Sequence, residues 1–254
     1  MSGLAAIRSV MPVLRVLAVA LVSTKAFAGP PYTTDDPEPV DYRHWEVYLA
    51  SQSFLDDEGW TGTAPHVEVN YGAVPNVQLH VITPLAYSIP NRAPSAYGPG
   101  DTELGVKWRF VQERKSVPMI GIFPLVEAPT GSAPLGLGNG STELFVPVWI
   151  QKSFGAWQTY GGAGAWIDLG DRDRHWWFFG WQLQRRMAKW LTIGAEVFHQ
   201  TPKTHGGDPD TRFNVGLVFD FGETHHIMLS AGRGFQTTNL FQSYVAYQIT
   251  FGPR

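Results

Sequence analysis

The chain is predicted to fold as an all-β protein, an antiparallel transmembrane β-barrel of about twelve strands. Three observations carry that prediction. Apolar and polar residues alternate at period two in segment after segment, the connections alternate between short and long, and a leader-like stretch precedes them all. The alternation is plainest from Asp101 to Gln151. Leu104, Val106, Trp108 and Phe110 fall on one side of a strand, with Glu103, Gly105, Lys107 and Arg109 on the other. Leu144, Val146, Val148 and Ile150 repeat the pattern against Glu143, Phe145, Pro147, Trp149 and Gln151.

Met1–Ala28 reads as a signal peptide. Arg8 and Arg15 supply positive charge, Val16–Val22 is the apolar run, and Ala26-Phe27-Ala28 places small residues at both cleavage-determining positions. The run is too short to span a bilayer by itself. Residues 29–43, with their prolines and acids, read as an unstructured periplasmic lead-in, and 44–254 as the barrel.

Twelve strands are predicted. They are His44–Phe54, Pro65–Gly72, Val77–Tyr87, Thr102–Val111, Pro118–Ala128, Ser141–Gln151, Trp157–Asp168, His175–Arg185, Leu191–Thr201, Arg212–Phe221, His225–Gly234 and Phe241–Phe251. An even number lets both ends of the sheet leave on the periplasmic side. Connections after odd strands read as the longer ones, among them Leu55–Ala64, Ser88–Asp101, Pro129–Gly140 and Pro202–Thr211. Those after even strands are short, such as Ala73–Asn76 and Gly222–Thr224. Pro84, Pro124 and Pro147 inside predicted strands each remove a ladder donor and imply bulges or irregular register. Gly161, Gly162 and Gly164 thin the apolar face of one strand, as close approach of a neighbour would require.

Composition agrees with this class. Gly (27) and Pro (19) are frequent, and the 10 Trp, 9 Tyr and 15 Phe suit interfacial aromatic belts, though a soluble β-sandwich would use them too. Mean hydropathy is slightly polar, as expected when one face of every strand lines an interior. Cysteine is absent, which excludes a disulfide-built scaffold. The whole chain carries −3, and loss of Arg8, Arg15 and Lys25 with the leader leaves −6. With no basic tract, nucleic acid is not an expected partner.

Gly100-Asp101-Thr102-Glu103-Leu104-Gly105, Pro124–Gly131, Leu137-Gly138-Asn139-Gly140 and the ending Tyr247–Gly252 together resemble a broad family of bacterial envelope proteins. That family is named after the meta-cleavage pathway of phenol degradation. The resemblance implies an outer-membrane barrel passing small, often aromatic, compounds. It supplies no catalytic residue. Val245, Tyr247, Ile249 and Phe251 also resemble the terminal strand read by outer-membrane insertion machinery, except that Gly252-Pro253-Arg254 follow the aromatic.

With Leu104 and its partners toward lipid, the opposite parity points Glu68, His80, Glu103, Lys107, Arg109, Glu127, Glu143, Glu196 and Arg212 into the interior. These are the candidate pore-lining or solute-binding residues. Phe123, Phe145, Trp149, Phe178 and Phe198 share that parity. The expected function is therefore an outer-membrane channel for diffusion of small organic, including aromatic, solutes. Two alternatives stand beside it: a non-conducting structural or ligand-binding barrel, and an outer-membrane enzyme. An enzyme is disfavoured because no nucleophile–base pair can be named. His225 and His226 are sequence neighbours, so a regular strand points them apart and they cannot share a metal. No cofactor and no metal are expected. The expected partners are outer-membrane lipid, the insertion machinery and a small-molecule solute.

Overall fold

A computed structural model describes residues 29–170, 175–236 and 239–253. The leader read over Met1–Ala28 lies outside the described residues. Fourteen strands form one antiparallel sheet. In chain order they are β1 (Trp45–Asp56), β2 (Gly59–Val74), β3 (Val77–Pro90), β4 (Ala96–Pro99), β5 (Thr102–Val111), β6 (Met119–Ile122), β7 (Leu125–Ala128), β8 (Glu143–Phe154), β9 (Trp157–Asp168), β10 (Trp176–Ala188), β11 (Leu191–Gln200), β12 (Asp210–Phe221), β13 (His225–Gly234) and β14 (Asn239–Phe251). β4 and β5 both pair with β3 and form one stave interrupted at Gly100-Asp101. β6 and β7 form another, interrupted at Phe123-Pro124. The sheet therefore closes as twelve staves, with β1 pairing to β14 from Trp45↔Phe251 onward. Closure leaves no edge strand, which is what hydrocarbon requires of a spanning sheet.

The two faces are inverted relative to a soluble protein. On β10, Trp181 is 53% exposed while the adjacent Gln182 is 0% exposed. The same alternation leaves Leu104, Val106, Trp108, Phe110, Val146, Val148, Phe179 and Val245 exposed around the outside. Glu68, Asn70, Gln78, Gln151, Gln184 and Gln248 are buried within. An apolar exterior around a hydrogen-bonded polar interior defines a membrane-spanning barrel. At the rim where the sheet begins and ends, the terminal rim, Trp45 stacks on Tyr71 with ring centroids 4.2 Å apart and pairs with Phe251. This is one arc of an aromatic belt.

Several connections differ from the sequence expectation. The Leu55–Ala64 loop is instead a tight hairpin, with Asp56 opposite Gly59. The Asp56 carboxylate accepts the N–H groups of Glu58 and Gly59, and Gly59 takes φ 137°, so the acids make the turn while Trp60-Thr61-Gly62-Thr63 continue the strand. The Ser88–Asp101 loop likewise contains β4.

The prolines behave unequally. Pro84 pairs with His66 where the β2–β3 register shifts, as expected. Pro147 lies in undisturbed register opposite Gly164 on β9. Its other side faces the ladder gap between the Ile122↔Val148 and Leu125↔Phe145 pairs, and Pro124 lies in the same gap. Two missing donors thus fall on one interruption, so the rest of the ladder stays intact.

The motif residues Asp101, Gly131 and Asn139 form a clasp over the other rim, the loop rim. The Asp101 carboxylate accepts the backbone N–H of Gly131 at 2.8 Å and that of Asn139. Between them runs a short 3-10 turn, Ala133–Leu135, followed by buried Leu137. At Gly138 an added Cβ would strike the Asp101 carboxylate, so a larger residue there would displace the clasp.

Candidate functional site

Every one of the nine candidate residues points inward, and they fall into distinct groups. Glu68, His80 and Glu103 belong to one hydrogen-bonded run across β2, β3 and β5. Asn70 Nδ2 donates to Glu68 at 2.7 Å, and the His80 ring lies 2.6 Å from Asn70 Oδ1 and 2.9 Å from Glu103 Oε1. Glu127 and Glu143 are bridged by the Asn139 amide, at 2.8 and 3.4 Å. Arg212 pairs with Asp210 and donates to Gln242 Oε1 at 3.0 Å. Lys107, Arg109 and Glu196 do something the sequence reading did not anticipate. They hold the residues that precede the barrel.

The segment expected to be an unstructured lead-in instead runs inside the lumen. Glu196 receives two successive backbone donors, Thr33 N–H at 2.8 Å and Thr34 N–H at 2.7 Å, one on each carboxylate oxygen. Hydrogen bonds to an ionised acceptor are among the stronger kind. Lys107 Nζ donates to Asp35 at 2.9 Å and lies 3.6 Å from Asp36. Gln151 Nε2 donates to Glu38 at 2.9 Å, and an Arg109 guanidinium nitrogen lies 3.9 Å from the same carboxylate. Ser230 Oγ donates to the Pro31 carbonyl, and Val40 N–H donates to Gln78. Thr34, Asp36 and Pro37 are completely buried.

Sterics reinforce the bonds. Gly180, Gly194 and Gly216 face inward on β10, β11 and β12, with Gly194 directly opposite Gly216. A Cβ on Gly216 would meet the Tyr32 ring at 2.7 Å, one on Gly194 the Tyr32 hydroxyl at 2.5 Å, and one on Gly180 the Thr34 side chain. The missing side chains are a socket for the segment. The functional residues missed from sequence are thus Tyr32, Asp35, Asp36 and Glu38. The signal that could have found them is this run of inward glycines together with an inward lysine and a preceding segment rich in acids.

The inward aromatics form a second feature. Phe123, Leu125, Phe145, Trp149, Trp176, Phe178 and Phe198 make one buried cluster, with Trp166 packed against it. Phe145 stacks on Trp166 at 4.7 Å and Trp166 on Trp176 at 5.1 Å. The glycines that thin β9 serve these rings: a Cβ on Gly162 would strike Trp149, and one on Gly164 would strike Phe145.

A cavity of about 1140 Å³ lies between the aromatic wall and the N-terminal segment. Its lining reaches Glu143 and Lys203 near the loop rim and Gly222, Thr224 and Pro253 at the terminal rim. Glu68, His80, Glu103, Lys107, Glu127 and Glu143 line it, whereas Arg109, Glu196 and Arg212 sit behind the surface, engaged by their partners. His226, another inward histidine, has Nδ1 2.8 Å from Asp220. Among the described residues no cluster of three His, Asp or Glu side chains is arranged to hold a metal ion.

Twelve closed staves, an apolar girdle and a polar, hydrogen-bonded lumen define the class: a membrane-spanning, porin-like β-barrel of the outer-membrane type. Comparison with solved structures agrees. An outer-membrane channel from Pseudomonas putida F1 superposes with a TM-score of 0.70 at 14% identity, over 85% of this chain and 98% of that one. KdgM porin superposes with a TM-score of 0.55 at 12% identity, over 80% and 99%. The same porin in complex with disordered oligogalacturonate gives 0.55 at 10% identity, over 82% and 99%. At such identities the likeness is one of fold. By sequence the chain matches no family profile and no curated protein.

Proposed function

We propose that this protein is an outer-membrane channel for diffusion of small organic solutes, aromatic ones included. The observation that carries the proposal is the cavity that lines residues of both rims while remaining polar on one wall and aromatic on the other. A watery wall lets a solute shed little hydration, and ring faces offer weak, repeated contact rather than a single trap. The structural likeness to a channel and a porin supports the same reading. So does the resemblance to the family named after the meta-cleavage pathway, whose quoted motifs include the Asp101 clasp. In this reading the leader Met1–Ala28 is removed, the terminal rim faces the periplasm, and the terminal strand engages the insertion machinery through Tyr247, Ile249 and Phe251.

The second reading is a non-conducting barrel, and the docked N-terminal segment is the observation that favours it. The segment is bonded to Lys107 on β5 and to Glu196 on β11, so it lies within the lumen between those strands. Single-channel recording in planar bilayers, followed by solute uptake into liposomes, separates the two. A steady conductance and uptake of small phenols above empty liposomes is expected. Absence of both would establish the non-conducting barrel.

A further inference from the structure

The loop-side half of the lumen carries an acidic rung set directly on an aromatic one. Glu103 on β5 stands opposite Glu127 on β7, which stands opposite Glu143 on β8. Two residues further in along each strand, the same face presents Leu125, Phe145 and Trp166 in register, with Trp176 opposite Trp166. Adjacent strands are about 4.8 Å apart, so carboxylates directly opposite one another repel, and a cation placed among them relieves that repulsion. His80 beside Glu103 and the Asn139 amide between Glu127 and Glu143 satisfy part of this need from the barrel itself.

The chain also places its own ammonium group here. Lys203, from the loop between β11 and β12, holds Nζ 4.2 Å over the Trp176 ring, and its charge is felt by Glu143 and Glu127. An ammonium over an indole face, close to carboxylates, is the arrangement an aromatic cage uses to hold a cationic ligand.

We infer that this vestibule is a selectivity site for small aromatic amines: the ammonium at Glu127 and Glu143, and the ring against Phe145, Trp166 and Trp176. Lys203 occupies the ammonium position until such a solute displaces it. The inference rests on the channel reading for its transport role and on the cavity alone for binding.

Two measurements keep these apart. In planar bilayers, tyramine added from the loop side is compared as a blocker of ionic current with tyrosol, its neutral analogue, and phloretic acid, its anionic one. In detergent, quenching of tryptophan fluorescence by the same compounds reports occupancy without requiring conduction. Tyramine is expected to bind at least tenfold more tightly than tyrosol, and phloretic acid least. The Glu127→Gln/Glu143→Gln pair should erase that order, and Lys203→Met should tighten tyramine several-fold. Quenching with that order but no conductance would keep the site and overturn the channel. Equal binding of the three compounds, or an order unchanged in the double variant, would overturn the site whether or not current flows. Heat-modifiable migration of each variant checks that the barrel is folded.

Discussion

Lys107 on β5 donates to the Asp35 carboxylate at 2.9 Å, joining the wall of the barrel to a segment 72 residues earlier in the chain. Asp36 completes the site at 3.6 Å and is fully buried. Removing one partner of a buried ion pair leaves the other uncompensated, at a cost of roughly 3–5 kcal/mol. Lys107→Ala is therefore expected to release the N-terminal segment from this anchor while the strands stay closed. Single-channel conductance should rise several-fold, and the segment should become accessible to protease in detergent. Unchanged conductance together with an uncleaved segment would mean that the remaining contacts hold it without Lys107.

The glycine socket makes a prediction of coupling. Gly216→Val places atoms where the Tyr32 ring lies, so it should unseat the segment much as the lysine change does. Adding Tyr32→Ala should remove the clash, and the double variant should behave as Tyr32→Ala alone. Contacting residues are non-additive in this way. Additive effects on thermal stability would show that Gly216 and Tyr32 do not touch.

The outward face is tested by charge. Phe179 is exposed on β10, and its replacement by Arg should weaken folding into lipid vesicles by about 2–4 kcal/mol near mid-membrane. Glu143→Gln, on the inward face, should leave folding nearly unaltered. Similar losses for both would invert the assigned faces.

The Asp101 clasp should be local. Asp101→Ala leaves the N–H groups of Gly131 and Asn139 without their charged acceptor, a loss of about 1.5–3 kcal/mol for each such bond. Limited proteolysis should then cut between residues 129 and 142 while the heat-modifiable barrel persists. Loss of the barrel itself would show that the clasp nucleates the sheet.

Much of the architecture was legible because a barrel strand writes its environment into the sequence at period two. Leu104, Val106, Trp108 and Phe110 could be separated from Glu103, Lys107 and Arg109 without coordinates, and the inward parity of all nine candidates followed from that alternation. The tight turn at Asp57-Glu58 was harder, because turn residues signal a reversal without marking where the strands resume. Pro147 was misread for a related reason. A proline's cost depends on whether its missing donor faces a partner, and only the position of Pro124 across the ladder gap decides that.

What the sequence determined by itself is the alternation of faces, the strand count and the polarity of the interior, since each depends on residues near one another along the chain. What only the tertiary structure decided is who meets whom across the lumen. Residues 29–41 are polar and proline-rich, with no periodicity, so nothing local distinguishes a free lead-in from a docked one. The distinction arises from Glu196, Lys107 and the glycines of β10–β12, which lie far away in sequence and converge only because the sheet closes. Long-range hydrogen bonds and steric fit depend on distances in space, and the curvature of the closed barrel sets those distances.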